Sequence, residues 1–110
     1  QHITYIGETN NIKRRVRQHN QLCGSKSTNN PLLLPWALVA FITGFSSSCS
    51  TVRRKIEQMW KNERDNLKTT FNRNLSLEEI CNAGKSTVQK CIEEDLRFIQ
   101  CCSLEITSNI

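Results

Sequence analysis

The chain has 110 residues, 37% of them hydrophobic, which suffices for one small domain with a modest core and leaves no room for a second. Its net charge of +5 is unevenly spread: residues 1–75 hold 12 Lys and Arg against 4 Asp and Glu (+8), and residues 76–110 hold 3 against 6 (−3), so the body suits a polyanionic partner and the tail does not. No apolar run approaches the ~20 residues of a membrane span, the longest being residues 36–42, and a soluble, intracellular protein without a membrane partner is expected.

In chain order, Ile3, Tyr5 and Ile6 sit in a short β-favouring run that ends at Gly7. Residues 8–11 are polar and supply turn chemistry, with Asn11 as the expected cap of a helix. Ile12 and Val16 then make one apolar stripe, while Lys13, Arg14, Arg15 and Arg17 crowd the other faces. Arg15 and His19 lie four residues apart on one flank, where a ligand can reach both. Residues 21–33 are rich in Gly, Ser, Lys and Asn, close at Pro31 and Pro35, and read as a surface linker carrying Lys26.

Residues 36–45 are almost continuously apolar, as expected of a central strand covered on both faces, with Gly44 ending it and Ser46, Ser47, Ser48 and Ser50 available as caps. A helix over residues 51–66 follows, with Val52, Ile56 and Trp60 as its buried stripe and Glu57 one step off it. Glu57 is the single acidic residue between Glu8 and Glu63. It is either a surface partner of Arg53 or Lys61 across one turn or a ligand in a basic setting. Ser76 and Glu79 form a capping box opening a short helix that ends near Gly84, and Ser86 opens a second helix over residues 86–101 with Val88, Ile92, Leu96 and Ile99 on its buried face. Residues 103–106 read as an edge strand. Six cysteines, at 23, 49, 81, 91, 101 and 102, show no Cys-x-x-Cys spacing and read as reduced small hydrophobes; a metal set of Cys81, Cys91, Cys101 and Cys102 is the alternative.

Tyr5-Ile6-Gly7, followed by Arg15 and then His19, resembles the core of the GIY-YIG nuclease family. The order Trp36, Gly44, Phe45, Ile56, Glu57, Trp60 resembles the branch that cuts flaps and junctions, although the interval from Gly44 to Glu57 is about two residues longer than that pattern. The resemblance implies an α+β fold: a short antiparallel sheet flanked by helices over residues 1–68, and a helical C-terminal extension, residues 69–110, packed on it. The family's first strand carries a Gly-Ile-Tyr triplet about ten residues upstream of Tyr-Ile-Gly. Only four residues precede Tyr5, so that strand has no counterpart here, and a fragment starting inside its domain is expected.

By the same resemblance Tyr5, Arg15, His19 and Glu57 are the catalytic residues, and Glu57 is the ligand of Mg²⁺ or Mn²⁺. The implied activity is metal-dependent hydrolysis of DNA phosphodiester bonds, of structure-specific or of viral or mobile-element type, in a repair or recombination setting. Implied partners are DNA, branched DNA included, and a protein scaffold subunit; the implied location is the nucleus in a eukaryote and otherwise the cytoplasm. Lys13, Arg14, Arg17, Lys26, Arg53 and Arg54 are the candidate DNA contacts. The alternative is a catalytically inactive nucleic-acid-binding module on the same fold.

Overall fold

A computed structural model describes residues 3–44, 50–94 and 105–108. The architecture is α+β, with helices carrying most of it. Helix α1 (Ile12–Asn20) is followed by a 3₁₀ turn (Pro31–Leu33), strand β1 (Ala40–Thr43), helix α2 (Ser50–Phe71), helix α3 (Leu77–Glu94) and strand β2 (Glu105–Ser108). The two strands pair antiparallel, Ala40 opposite Ser108 and Thr43 opposite Glu105.

The helices start where local chemistry dictates. Asn11 caps α1 by accepting the Arg14 backbone N–H at 3.0 Å. Ser76 and Glu79 complete a reciprocal box at α3, the Ser76 N–H donating to Glu79 Oε1 at 2.9 Å and the Glu79 N–H to Ser76 Oγ at 3.2 Å. Arg73 grips the same Glu79 carboxylate through both terminal nitrogens, 2.8 and 2.9 Å, which holds its pKa down at about 2. That fork, beside Asn72 in the left-handed region (φ 51°), turns the chain from α2 into α3.

The stripe on α2 buries as its spacing requires. Ile56 packs with Val88 and Cys91, with Val52, Met59 and Ile42 alongside. Trp60 packs with Ile6 and Ala83 and donates its indole N–H to the Ile80 carbonyl at 2.9 Å. Cys81 and Cys91 are buried as small apolar groups, Cys91 lying 3.7 Å from the Met59 sulfur, and Cys23 is exposed.

Four sequence expectations change. Residues 3–9 form no strand, since nothing among the described residues pairs with them. Of residues 36–44 only Ala40–Thr43 is strand, half-buried along its length and one of two strands, so it is not the central strand of a larger sheet among the described residues. At the start of the run Asn20, at the end of α1, accepts the Trp36 N–H (2.6 Å) and donates to the Trp36 carbonyl (3.1 Å), taking up the backbone groups a ladder would need at that residue. Residues 76–101 are not two helices split at Gly84; α3 runs unbroken from Leu77 to Glu94, and Ser86 lies inside it. Gly84 and Ala83 are buried within it, and the helix carries the ~1 kcal/mol penalty of an interior glycine without breaking. Finally α2 continues past 66 to Phe71. Phe45, the serines at 46–48, Cys49, Leu96, Phe98, Ile99, Cys101, Cys102 and the first two residues of the expected edge strand lie outside the described residues.

Candidate functional site

Ile6 anchors the first segment in the core beside Trp60, and Tyr5 and Gly7 flank it in the chain. The Tyr5 ring folds back over Gly7 so closely that a Cβ there would lie 2.7 Å from Tyr5 Cε1. A side chain at position 7 would therefore displace the phenol. The ring meets His19 edge-on, centroids 4.8 Å apart with 61° between planes.

His19 differs from the exposed flank residue the spacing suggests: it is the buried residue of α1, 7% exposed, while Ile12 and Val16 are half-buried. The chain after α1 folds over it. Leu22 turns back in the left-handed region (φ 61°), and the Cys23 N–H donates to the Gln18 carbonyl at 2.9 Å. Gly24 then presses on the imidazole, where a Cβ would stand 2.3 Å from Nδ1, and fully buried Thr28 places Oγ1 2.6 Å from the same nitrogen. Residues 21–30 are thus the wall behind His19 and not the plain linker their composition suggests. Burial first, and the Arg15 guanidinium second, lower the His19 pKa below its ordinary 6.5, so the ring is neutral at pH 7.

Tyr5, Arg15, His19 and Glu57 line one cavity of about 200 Å³, with Glu8, Trp36, Arg53 and Trp60 among its other walls. Arg15 donates from Nη1 to Gln18 Oε1 at 3.3 Å, while its Nε, like the Trp36 indole nitrogen, is buried without a hydrogen-bond partner among the described residues. Across the cavity Glu57 accepts from Lys61 Nζ at 2.9 Å, the one-turn pairing that was one of its two sequence readings. Both side chains keep partial solvent access, 20% for Glu57 and 33% for Lys61, so this pair does not lock the carboxylate away.

Among the described residues no three His, Cys, Asp or Glu gather as a metal cage. The ligand on offer in the cavity is one hard carboxylate, that of Glu57, with Glu8 tied to Arg53. That set fits a cation that keeps its own waters and takes substrate phosphate oxygens, as Mg²⁺ does, and does not fit a closed four-ligand zinc site.

The candidate DNA contacts divide into two groups. Lys13, Arg14, Arg17, Lys26 and Arg54 are exposed, Arg14 held by Asn10 Oδ1 at 3.0 Å. Arg53 is instead drawn into the cavity wall by Glu8, Nε to Oε2 at 3.1 Å, with Arg54 3.9 Å from the same carboxylate. The Glu8–Arg53 pair, Thr28 and the Trp36 wall escaped the sequence reading. Only the burial of Thr28 and the 45-residue separation closed by Glu8 and Arg53 expose them, and neither leaves a local pattern.

Residues 1–72 match the model of the GIY-YIG catalytic domain, and the chain belongs to that family. Among curated proteins it is similar to "Structure-specific endonuclease subunit SLX1 homolog" of Giardia intestinalis, 41% identical over 56 residues, covering 51% of this chain and 15% of that protein. A protein of the same description from Brugia malayi is 43% identical over 61 residues (53% and 17%), and "Structure-specific endonuclease subunit slx1" of Botryotinia fuckeliana is 38% identical over 60 (53% and 14%). The matched part spans about a sixth of these relatives' length. No solved structure matches the chain.

Proposed function

We propose that this chain is the catalytic core of a divalent-metal-dependent DNA endonuclease acting on branched substrates such as flaps and junctions. The observation that carries the reading is the convergence of Tyr5, Arg15, His19 and Glu57, from three separate segments, on the lining of one cavity. A fold kept only for binding has no need of that convergence. The relatives' description as structure-specific endonuclease subunits supports the substrate class and a second protein subunit as partner.

In this reading Arg15 grips the non-bridging oxygens of the scissile phosphate, since a guanidinium stays charged and binds phosphate in two places. Neutral His19 takes the proton from the attacking water, its lowered pKa keeping the lone pair available at pH 7. Tyr5 packs edge-on to that ring and is the second candidate for the proton transfer. Its phenol at the usual pKa near 10 is the weaker base unless nearby cations draw its proton away. Glu57 holds the cation, Mg²⁺ or Mn²⁺, whose chemistry when bound is Lewis-acid stabilisation of the departing oxygen. Lys13, Arg14, Arg17, Lys26 and Arg54 supply sequence-independent phosphate contacts.

The test is cleavage of end-labelled flap, junction and plain duplex DNA with Mg²⁺ or a chelator. Cutting of the branched substrates only with the metal, lost in Arg15→Ala, is the expected result. Equal cutting of plain duplex would remove the structure-specific reading, and cutting undiminished in Arg15→Ala would remove Arg15 from the chemistry.

A further inference from the structure

We infer that Thr28 is a positioning residue that fixes the tautomer of His19, holding the ring proton on Nδ1 and leaving the lone pair on Nε2 for the cavity. The geometry is specific. Thr28 is fully buried, and its Oγ1 lies 2.6 Å from His19 Nδ1, 3.1 Å from Ser25 Oγ and 3.4 Å from the Ser25 carbonyl oxygen.

A hydroxyl has one proton and two lone pairs, and the two tautomers of His19 use them differently. With the proton on Nδ1, the ring donates to Thr28 Oγ1, Ser25 Oγ–H donates to the second lone pair, and the Thr28 proton goes to the Ser25 carbonyl; all three contacts are hydrogen bonds. With the proton on Nε2, the Thr28 hydroxyl must donate to Nδ1, and the contact to the Ser25 carbonyl is lost. The first arrangement matches every close contact in a pocket that Gly24 keeps shut, since a Cβ there would stand 2.3 Å from Nδ1. Thr28 is itself fully buried, so its hydroxyl cannot remake with water a contact it gives up. The ring nitrogen facing away from Thr28 then carries a lone pair, which is what a group accepting a proton from water requires.

The functional consequence rests on His19 acting as the base proposed above; the tautomer itself does not. The experiment therefore reads both. Long-range proton–nitrogen spectra of ¹⁵N-labelled protein at about pH 8, above the ordinary histidine range, report which ring nitrogen carries the proton. His19 is assigned by the signals that vanish in His19→Gln. The parent is expected to show His19 protonated at Nδ1, Thr28→Ser to keep that pattern, and Thr28→Val, which fills the same space without the hydroxyl, to move the proton to Nε2. A parent protonated at Nε2 overturns the inference, and that measurement needs no variant to fold. So does a Thr28→Val spectrum in which the ring nitrogens do not move.

Cleavage kinetics on the same proteins separate the second claim. Thr28→Val is expected to lower kcat by about 10²-fold, the lower end of what a positioned base contributes, with KM for DNA unchanged and with Thr28→Ser restoring the rate. A displaced proton with unaltered kcat overturns the role of His19 as base while leaving Thr28 as the residue that sets its tautomer.

Discussion

Replacing Glu57 with Gln separates stability from chemistry at one atom. Gln keeps the length and helix propensity of Glu, and its amide oxygen still accepts from Lys61 Nζ, now 2.9 Å from Glu57 Oε1. What disappears is one negative charge from a pair that spans one helical turn and keeps partial solvent access on both sides. Pairs of this kind contribute about 0.3–0.5 kcal/mol. A domain of this size shifts by roughly 4–8 °C per kcal/mol, so the melting temperature should fall by no more than about 4 °C. Cutting, in contrast, should be abolished, because the carboxylate is the anchor proposed for the cation that stabilises the departing oxygen. DNA binding should persist or tighten slightly, one negative charge having left a surface that faces phosphates. The assay pairs cleavage of a labelled flap or junction with a gel-shift titration at fixed salt and a thermal melt. If Glu57→Gln cuts as well as the parent while melting as predicted, Glu57 is a surface partner of Lys61 and the metal assignment fails.

Other perturbations follow from the same geometry. Arg17→Ala, and Arg14→Ala once its tie to Asn10 is removed, should each weaken binding to unrelated DNA sequences alike and reduce the slope of log affinity against log salt by about one unit; a loss that depends on base sequence would contradict the assignment. Trp60→Phe keeps most of the apolar contact with Ile6 and Ala83 but removes the 2.9 Å bond to the Ile80 carbonyl, which the unbroken helix still supplies with a backbone donor, costing about 0.5–1.5 kcal/mol in urea unfolding; a variant as stable as the parent would show that bond to be unimportant. His19 has its pKa lowered in the folded state, so the unfolded chain takes up a proton first as pH falls below 6.5. Its contribution to stability should therefore be present above pH 6.5 and shrink as pH falls toward the folded pKa, and cleavage should lose rate on the same acid side; stability rising on acidification through this range in the parent, but not in His19→Gln, would reverse the sign.

The sequence determined what short-range chemistry can write. Asn11 caps α1 because a side-chain oxygen at that position meets a free N–H two or three residues on, and Ser76 with Glu79 does the same at α3. Val52, Ile56 and Trp60 face the core because their spacing is that of a helix, and the resemblance to the nuclease family, not periodicity, put Tyr5, Gly7, Arg15, His19 and Glu57 forward as a set. What the sequence misjudged was decided by partners far along the chain. The apolar run at 36–45 reads as strand throughout, but Asn20 occupies the backbone of Trp36, and of residues 36–44 Ala40–Thr43 pair. Gly84 reads as a stop, but it is buried beside Ala83 and the helix runs through it from Leu77 to Glu94. Residues 21–30 read as linker because polar composition marks loops, whereas Thr28 is fully buried since His19 offers its hydroxyl a partner that solvent would otherwise supply. Glu8 and Arg53 are 45 residues apart and pair across the cavity, a contact no periodicity encodes. Tertiary structure decided these points because each depends on whether a polar group or a missing side chain finds its match in space, and that match is set only when the segments carrying the two halves have packed.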